Sequence, residues 1–307
     1  MTKFSIIGVG GYIGYRHLQA LKDNSVDLLC AYDISDSVGI LDAFYPNTDF
    51  FIKEIDYKNF ILKNNIDYTS ICSPNFLHKR HILMSLKMGA NVICEKPMVI
   101  KPKDLQLIEI SEKKYNLSAF CILQLRLHEK IISLKKMINN KQDVFDVDLT
   151  YITTRGKWYY SSWKGNVNKS GGILFNIGIH FFDMLIWVFG KVKKIEVHMM
   201  NSDTCAGYIE LDKARVKWFL SLDEEYLPDT SNNTRTYRSI VINNKVLEFS
   251  KGFENLHSKS YSKILSGEGF RIQDVAPAVM LVDKIKKTKV VSGSKNSHSF
   301  INKSNGK

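Results

Sequence analysis

The sequence predicts an α/β chain in which a doubly wound parallel sheet comes first and an α+β domain with an open, mainly antiparallel sheet follows. Three observations carry this. Through about Phe120 short β-branched runs alternate with helical periods, after about Glu129 strand-like segments follow one another with short turns, and a glycine-rich turn directly follows the first strand.

In the first half the expected strands are Phe4–Val9, Asp27–Tyr32, Tyr68–Cys72, Asn91–Cys94 and Ser118–Leu123. Leu77–Met88 is apolar at helical spacing and stops at Gly89; Pro102, followed by Asp104, opens another crossover helix. In the second half Val144–Thr153, Lys194–Met200, Ala206–Leu211, Val216–Leu222 and Ser239–Ile242 are expected as strands, interrupted by one long helix over Gly172–Val188. No repeat and no Pro/Gly-rich linker marks the join, so the domains are set by texture alone: 1–124, 125–290, and a basic, frayed tail over 291–307.

Composition narrows the function classes. The chain of 307 residues is long enough for two self-supporting cores, and its 44% apolar and 24% charged content is that of a globular protein. The opening Lys3-Phe4-Ser5-Ile6-Ile7-Gly8 runs straight into a strand without a basic and then apolar leader, and the apolar stretches read as too short for a bilayer; the cytoplasm and no membrane partner are the expectation. Cys30, Cys72, Cys94, Cys121 and Cys205 lie far apart without C-x-x-C spacing, as reduced core residues. Of the net charge of +12, seven lysines fall between Lys284 and Lys307 with no acidic residue. A lysine tail without interleaved aromatics is a solvated terminus, and no nucleic-acid partner is expected.

Gly8-Val9-Gly10-Gly11-Tyr12-Ile13-Gly14 sits between the first strand and a helix expected to begin near Tyr12, where glycines let helix N-terminal amides approach a pyrophosphate. Ile13 stands where the third glycine of G-x-G-x-x-G belongs, so the run reads as Gly8, Gly11 and Gly14 in a loop one residue longer. Asp33 closes the second strand, where a carboxylate would accept the adenosine ribose hydroxyls of NAD and repel the 2′-phosphate of NADP; Asp33-Ile34-Ser35-Asp36 also reads as a simple turn. These features specify a Rossmann domain.

Three further runs complete the pattern: Ser73-Pro74-Asn75-Phe76-Leu77-His78, Glu95-Lys96-Pro97, and Gly171-Gly172-Ile173-Leu174-Phe175-Asn176-Ile177-Gly178-Ile179-His180. In this order the runs resemble the Gfo/Idh/MocA family of NAD(P)-dependent oxidoreductases over nearly the whole chain. Gly11-Tyr12-Ile13, Tyr32–Gly39, Ser70–Asn75, Ile122–Arg126 and Asp148–Thr153 resemble more narrowly its WlbA/WbpB branch, the UDP-N-acetyl-glucosaminuronate 3-dehydrogenases of surface-polysaccharide synthesis. That branch also has asparagine at the place of Asn176, where the general family has aspartate.

The resemblance implies NAD as cofactor, a UDP-sugar as substrate, 2-oxoglutarate as a candidate second substrate that recycles the cofactor, and a homotetramer or dimer formed through the open sheet. It implies cofactor contacts from Gly8, Gly10, Gly11, Tyr12, Ile13, Asp33, Ser73, Pro74, Asn75, His78, Glu95, Lys96 and Gln124. His17 also matches a family position near the cofactor, though His17 and His78 read equally as structural hydrogen-bonders.

Oxidising a secondary alcohol requires a base for the hydroxyl proton while hydride leaves the same carbon. His180 suits that role because imidazole titrates near neutrality, and Asn176, four residues earlier on the expected helix, shares its face as a neutral orienter. A lone histidine beside Phe181 and Phe182 would otherwise read as core. Lys96 precedes Pro97, which favours extended backbone and permits a cis bond; its ammonium at the strand's edge would stabilise a developing alkoxide. Substrate contacts are expected from Lys96, Gln124, Arg126, Trp163, Lys164, Asn176 and His180, the cations and aromatics suiting uracil, pyrophosphate and a uronate. The stretch from Arg155 to Gly165 reads alternatively as an ordinary exposed loop. No metal is expected, because the histidines lack ligand spacing with a third donor. Another nucleotide sugar, a free polyol or a non-catalytic NAD sensor are the competing functions.

Overall fold

The computed structural model describes residues 1–228, 235–247 and 252–301. The chain divides into two compact units, Met1–Leu127 with Asn255–Ala276, and His128–Glu254 with Pro277–Lys307.

In the first unit the strands are β1 (Lys3–Ile7), β2 (Asp27–Tyr32), β3 (Asp49–Phe51), β4 (Tyr68–Ile71), β5 (Asn91–Cys94) and β6 (Ala119–Cys121). They form one parallel sheet in the order β3-β2-β1-β4-β5-β6. Its helices are α1 (Gly14–Asp23), α2 (Ile40–Phe44), α3 (Glu54–Asn64), α4 (His78–Lys87) and α5 (Lys103–Tyr115). Strand order reverses between β1 and β4, so the connections leaving those two strands diverge and open a crevice at the carboxyl edge of the sheet. The three-residue β3 is absent from the sequence reading, being too short to show a period. Helix α1 starts at Gly14 and not near Tyr12, since the glycine turn runs on through Ile13.

In the second unit α6 (Glu129–Asn139) and β7 (Phe145–Thr153) precede the short helices α7 (Lys157–Ser161) and α8 (Val167–Ser170), then α9 (Ile179–Phe189). Strands β8 (Val192–Met200), β9 (Thr204–Leu211), β10 (Ala214–Ser221), β11 (Thr236–Ile242) and β12 (Lys245–Val246) complete the sheet β12-β11-β7-β10-β9-β8. Every pairing in it is antiparallel except β7 with β10. The expected helix over 172–188 is interrupted by a π-helical turn over Leu174–Gly178 before α9 begins. The stretch Val167–Phe189 is long and apolar enough to cross a membrane by length and composition, contrary to the expectation, but 72% of its most apolar window is buried inside the protein.

Two domain boundaries are corrected. Helix α10 (Leu256–Leu265) and the start of α11 (Ile272–Lys287) return to the first unit, so the second domain is not the continuous 125–290. Tyr261 and Ile264 enter the core formed by Phe4, Leu18, Leu21 and Phe120, and Cys121 donates its amide to Phe270 O at 2.9 Å. The tail is also not frayed as far as residue 301. Val291 donates to Val197 O at 2.8 Å, Ser294 and Asn296 bond the Glu196 carboxylate, and Phe300 and Ile301 lie against Ile152, Ala206 and Phe219. The last part of the expected tail, 302–307, lies outside the described residues.

Candidate functional site

The carboxyl edge of the parallel sheet carries the glycine turn. Gly8 has φ +84°, and a β-carbon there would stand 2.6 Å from Ser73 N; at Gly14 one would meet Val9 O at 2.0 Å. Only glycine lets β1, the turn and the Ser73 backbone come this close. No side-chain cap is present at Ile13; Gly14 N–H donates to Gly11 O at 2.9 Å, and the positive end of the α1 dipole faces the glycine turn, where it favours an anion. Asp33 Oδ2 accepts Gly10 N–H at 2.9 Å and Oδ1 accepts Ser35 N–H at 3.1 Å, so Asp33 holds both its own turn and the glycine loop. A carboxylate has about four acceptor positions, and two remain for ribose hydroxyls.

From β4, Ser73 and Asn75 are buried beside this turn. Ser73 Oγ lies 2.8 Å from His81 Nδ1, while His81 Nε2 faces Arg80 at 3.3 Å. Arg80 can only donate, which makes Nε2 the acceptor and Nδ1 the donor to Ser73. The serine hydroxyl hydrogen is thereby left to donate elsewhere. Burial, with Arg80 beside it, pushes the His81 pKa down to about 4.

Past β5, Glu95 leads into Lys96 and a cis peptide to Pro97. Glu95 is buried, and its Oε1 accepts from His17 Nε2 at 3.1 Å and His257 Nε2 at 2.8 Å, while Oε2 accepts the Lys96 amide at 3.1 Å. Burial alone would raise its pKa, but the two histidine hydrogen bonds hold the carboxyl well below the usual carboxylate range. Burial lowers the His17 pKa, so its Nδ1 accepts from Tyr261 OH at 2.7 Å, and Tyr261 in turn accepts from Ser70 Oγ at 2.6 Å. His78 is likewise enclosed, with Nδ1 2.7 Å from Pro97 O and Nε2 2.7 Å from Ser73 O. Gln124 opens a 3₁₀ turn behind β6, at the same edge.

The second unit holds the other predicted residues. Lys164 Nζ lies over the rings of Trp158 at 5.3 Å and Trp163 at 5.8 Å, and burial, then Arg155, lowers its pKa. Asn176 sits in the π-helical turn and donates Nδ2–H to Tyr159 OH at 2.8 Å. His180 is in the first turn of α9, immediately beyond that wide turn, so the simple i, i+4 helical face expected for Asn176 and His180 is replaced by a π-to-α junction.

Comparison with known proteins decides the family. Residues 2–120 match the oxidoreductase family's NAD-binding Rossmann fold, and residues 135–227 match its C-terminal alpha/beta domain. The chain belongs to the Gfo/Idh/MocA oxidoreductase family. The WlbA (WbpB) dehydrogenase from Thermus thermophilus, solved with NAD and alpha-ketoglutarate, is 40% identical with a TM-score of 0.94, covering 98% of this chain and 100% of that one. The same enzyme solved with NAD and UDP-GlcNAcA gives 39% and 0.93 at the same coverage. Among curated relatives, the Bacillus subtilis glucose-6-phosphate 3-dehydrogenase is 28% identical over 62% of this chain and 54% of its own length. The Escherichia coli D-glucoside 3-dehydrogenase is 29% identical over 48% of this chain and 44% of its own. The chain thus spans about half the length of the curated relatives it matches.

Within this family frame, the crevice edge of the Rossmann unit gathers Gly8, Gly10, Gly11, Tyr12, Ile13, Asp33, Ser73, Pro74, Asn75, Lys96 and Gln124. The set fits a dinucleotide: a glycine turn that a β-carbon would fill, a helix N-terminus without a side-chain cap, and the anchored Asp33 carboxylate at the end of β2. Three expected contacts are placed differently. Glu95 and His78 have their polar atoms turned onto neighbouring loops and helices, and Arg126 is buried with Nη1 on Asp274 Oδ1 at 2.9 Å and its guanidinium over Phe270 at 5.1 Å. Arg126 ties the returning segment to the Rossmann core, which no local pattern reveals.

The sequence reading missed His81, His257 and Tyr261, and gave no role of their own to Ser70, in the run Ser70–Asn75, or Tyr159, in the Arg155–Gly165 stretch. Each acts through a partner distant in sequence or hidden in an ordinary helix. His17, Glu95 and His257 also bring one ligand atom each within 4.8 Å of one another, the grouping with a third donor that sequence spacing does not show. Both imidazole Nε2–H groups point at one carboxylate oxygen, and hydrogen bonding accounts for the cluster.

Proposed function

We propose that this protein oxidises the 3-hydroxyl of a UDP-N-acetyl-glucosaminuronate-type sugar to the 3-keto sugar with NAD, in the synthesis of a lipopolysaccharide or O-antigen sugar. The observation that carries the reading is the 40% identity over the full length to WlbA of Thermus thermophilus, which was solved with NAD and, in a second crystal, with UDP-GlcNAcA. Oxidation at position 3 is supported by the names of two curated relatives, both sugar 3-dehydrogenases.

When bound, NAD supplies the hydride acceptor. The chain's own residues do the rest. Gly8–Ile13 and the N-terminus of α1 would hold the pyrophosphate, Asp33 the ribose hydroxyls, and the donor hydroxyl of Ser73 would orient the cofactor. His180 takes the hydroxyl proton as base, Lys96 stabilises the alkoxide, and Asn176, fixed by Tyr159, orients the ring. The Trp158, Trp163 and Lys164 group of the second unit suits the nucleotide or carboxylate end of the substrate, and Gln124 of the Rossmann unit is a further proposed contact. 2-Oxoglutarate would be the second substrate, taking the hydride and a proton and leaving as 2-hydroxyglutarate, a reading supported by the alpha-ketoglutarate in the Thermus complex. The enzyme works in the cytoplasm as a homotetramer; five free buried cysteines are in keeping with a reducing compartment.

The test follows absorbance at 340 nm without 2-oxoglutarate, and the 2-hydroxyglutarate formed with it, for NAD and UDP-N-acetyl-glucosaminuronate, UDP-N-acetylglucosamine or myo-inositol. Turnover on the uronate alone is expected. Equal turnover on myo-inositol would replace the nucleotide sugar by a free polyol, and silence on all three with NAD bound would overturn the reading.

A further inference from the structure

The Glu95 cluster raises a physical question. An ionised carboxylate with no access to water is costly to bury, and apolar side chains could join the same elements without it. The histidines account for Oε1 alone. Oε2 accepts the amide of Lys96, the residue that carries the proposed catalytic cation. On the other side of that residue, Pro97 O lies 2.7 Å from His78 Nδ1. The backbone of 96–97 is therefore approached before and after the Lys96 side chain by two buried side chains, Glu95 just past β5 and His78 at the start of α4, and Glu95 is itself held from α1 and α10.

We propose that Glu95, clasped by His17 and His257, is a positioning residue that fixes the Lys96 backbone so that the Lys96 ammonium meets the reacting hydroxyl. This rests on the reading of Lys96 as the catalytic cation. The returning helix α10 then has a functional part: it delivers His257, which with His17 keeps Glu95 ionised and its second oxygen aimed at Lys96 N–H. With Glu95 ionised and His17 neutral, the hydrogen bonds run one way toward the carboxylate. Ser70 donates to Tyr261, Tyr261 to His17, and His17, His257 and Lys96 N–H all donate to Glu95.

Glu95→Gln isolates the contact. Glutamine has nearly the same shape and keeps one carbonyl oxygen for both histidines, but sets an NH2 against the Lys96 N–H, donor to donor. With turnover read as 2-hydroxyglutarate formed, kcat is expected to fall about 10- to 100-fold, the scale of a misplaced reacting group, while KM for NAD changes less than about threefold. His257→Leu should give the same split, and His257→Gln, which returns an N–H near the Nε2 position, should recover most of the loss. If Glu95→Gln does not fold, the His257 pair carries the test. A kcat for Glu95→Gln within about twofold of the parent, a KM for NAD that rises in step with the fall in kcat, or equal losses in His257→Gln and His257→Leu would each overturn the proposal. Lys96→Ala separates the two ideas. If it stays active, the catalytic reading falls; if it is dead while Glu95→Gln is fully active, the positioning proposal falls alone.

Discussion

Asp33 Oδ2 accepts the Gly10 amide at 2.9 Å, so the carboxylate proposed for the ribose hydroxyls also shapes the glycine turn. Removing it acts on both. Asp33→Ala should weaken NAD binding about tenfold or more, by loss of charge-assisted hydrogen bonds, and narrow the preference for NAD over NADP because the repulsion of a 2′-phosphate goes with it. Fluorescence titration of both cofactors measures this; an unchanged ratio would remove Asp33 from cofactor selection.

Lys96→Ala and His180→Ala should each lower kcat by about 10²-fold or more while NAD binding stays near that of the parent, as expected for an alkoxide stabiliser and a general base. Single-turnover absorbance at 340 nm combined with NAD titration reads both quantities. Loss of NAD binding in the lysine variant would assign it to the cofactor instead.

Arg126→Met should destabilise the protein by about 2 kcal/mol, since the guanidinium is buried and its partner Asp274, about a third exposed, recovers only part of its solvation. Urea unfolding measures it. A raised sugar KM at full stability would instead restore Arg126 as a substrate residue.

Deleting residues 291–307 should lower Tm by about 5 °C or more, because Phe300 and Ile301 cover Phe219 and Ile152. A solvated tail predicts no change. Salt-dependent DNA affinity that vanished with the deletion would revive the nucleic-acid reading.

His298 is buried against Thr150 and Phe219, and burial, then Lys217, pushes its pKa down to about 4; His81 is pushed down to about 4 as well. Their unfolded values are near 6.5, so the unfolded chain binds more protons between these limits. Stability should therefore be complete above about pH 6.5 and fall as pH drops toward about 4, by up to about 3 kcal/mol per histidine. His298→Gln should flatten that slope in urea titrations at stepped pH.

How much was legible in the sequence varies with the range of the interaction. Strands β2 and β5 fall on their expected residues, and the remaining expected strands differ by a few at the ends, because alternation and β-branched runs are local signals. Gly8 and Gly14 were legible because a backbone approach under 3 Å admits glycine alone. The π-helical turn at Asn176 was not, since it comes from seating that segment in its surroundings, not from its own period.

The sequence by itself determined the two sheets and the glycine turn with Asp33, and it singled out Lys96 and His180 as candidates for the chemistry, because each is written in neighbouring residues. Only the tertiary structure decided that 255–276 belong to the Rossmann unit, that Arg126 is spent on Asp274, and that His17 and His257 meet on Glu95. The physical reason is burial. A charged group removed from water must find partners wherever the fold brings them, and His257 lies far along the chain from the carboxylate it serves.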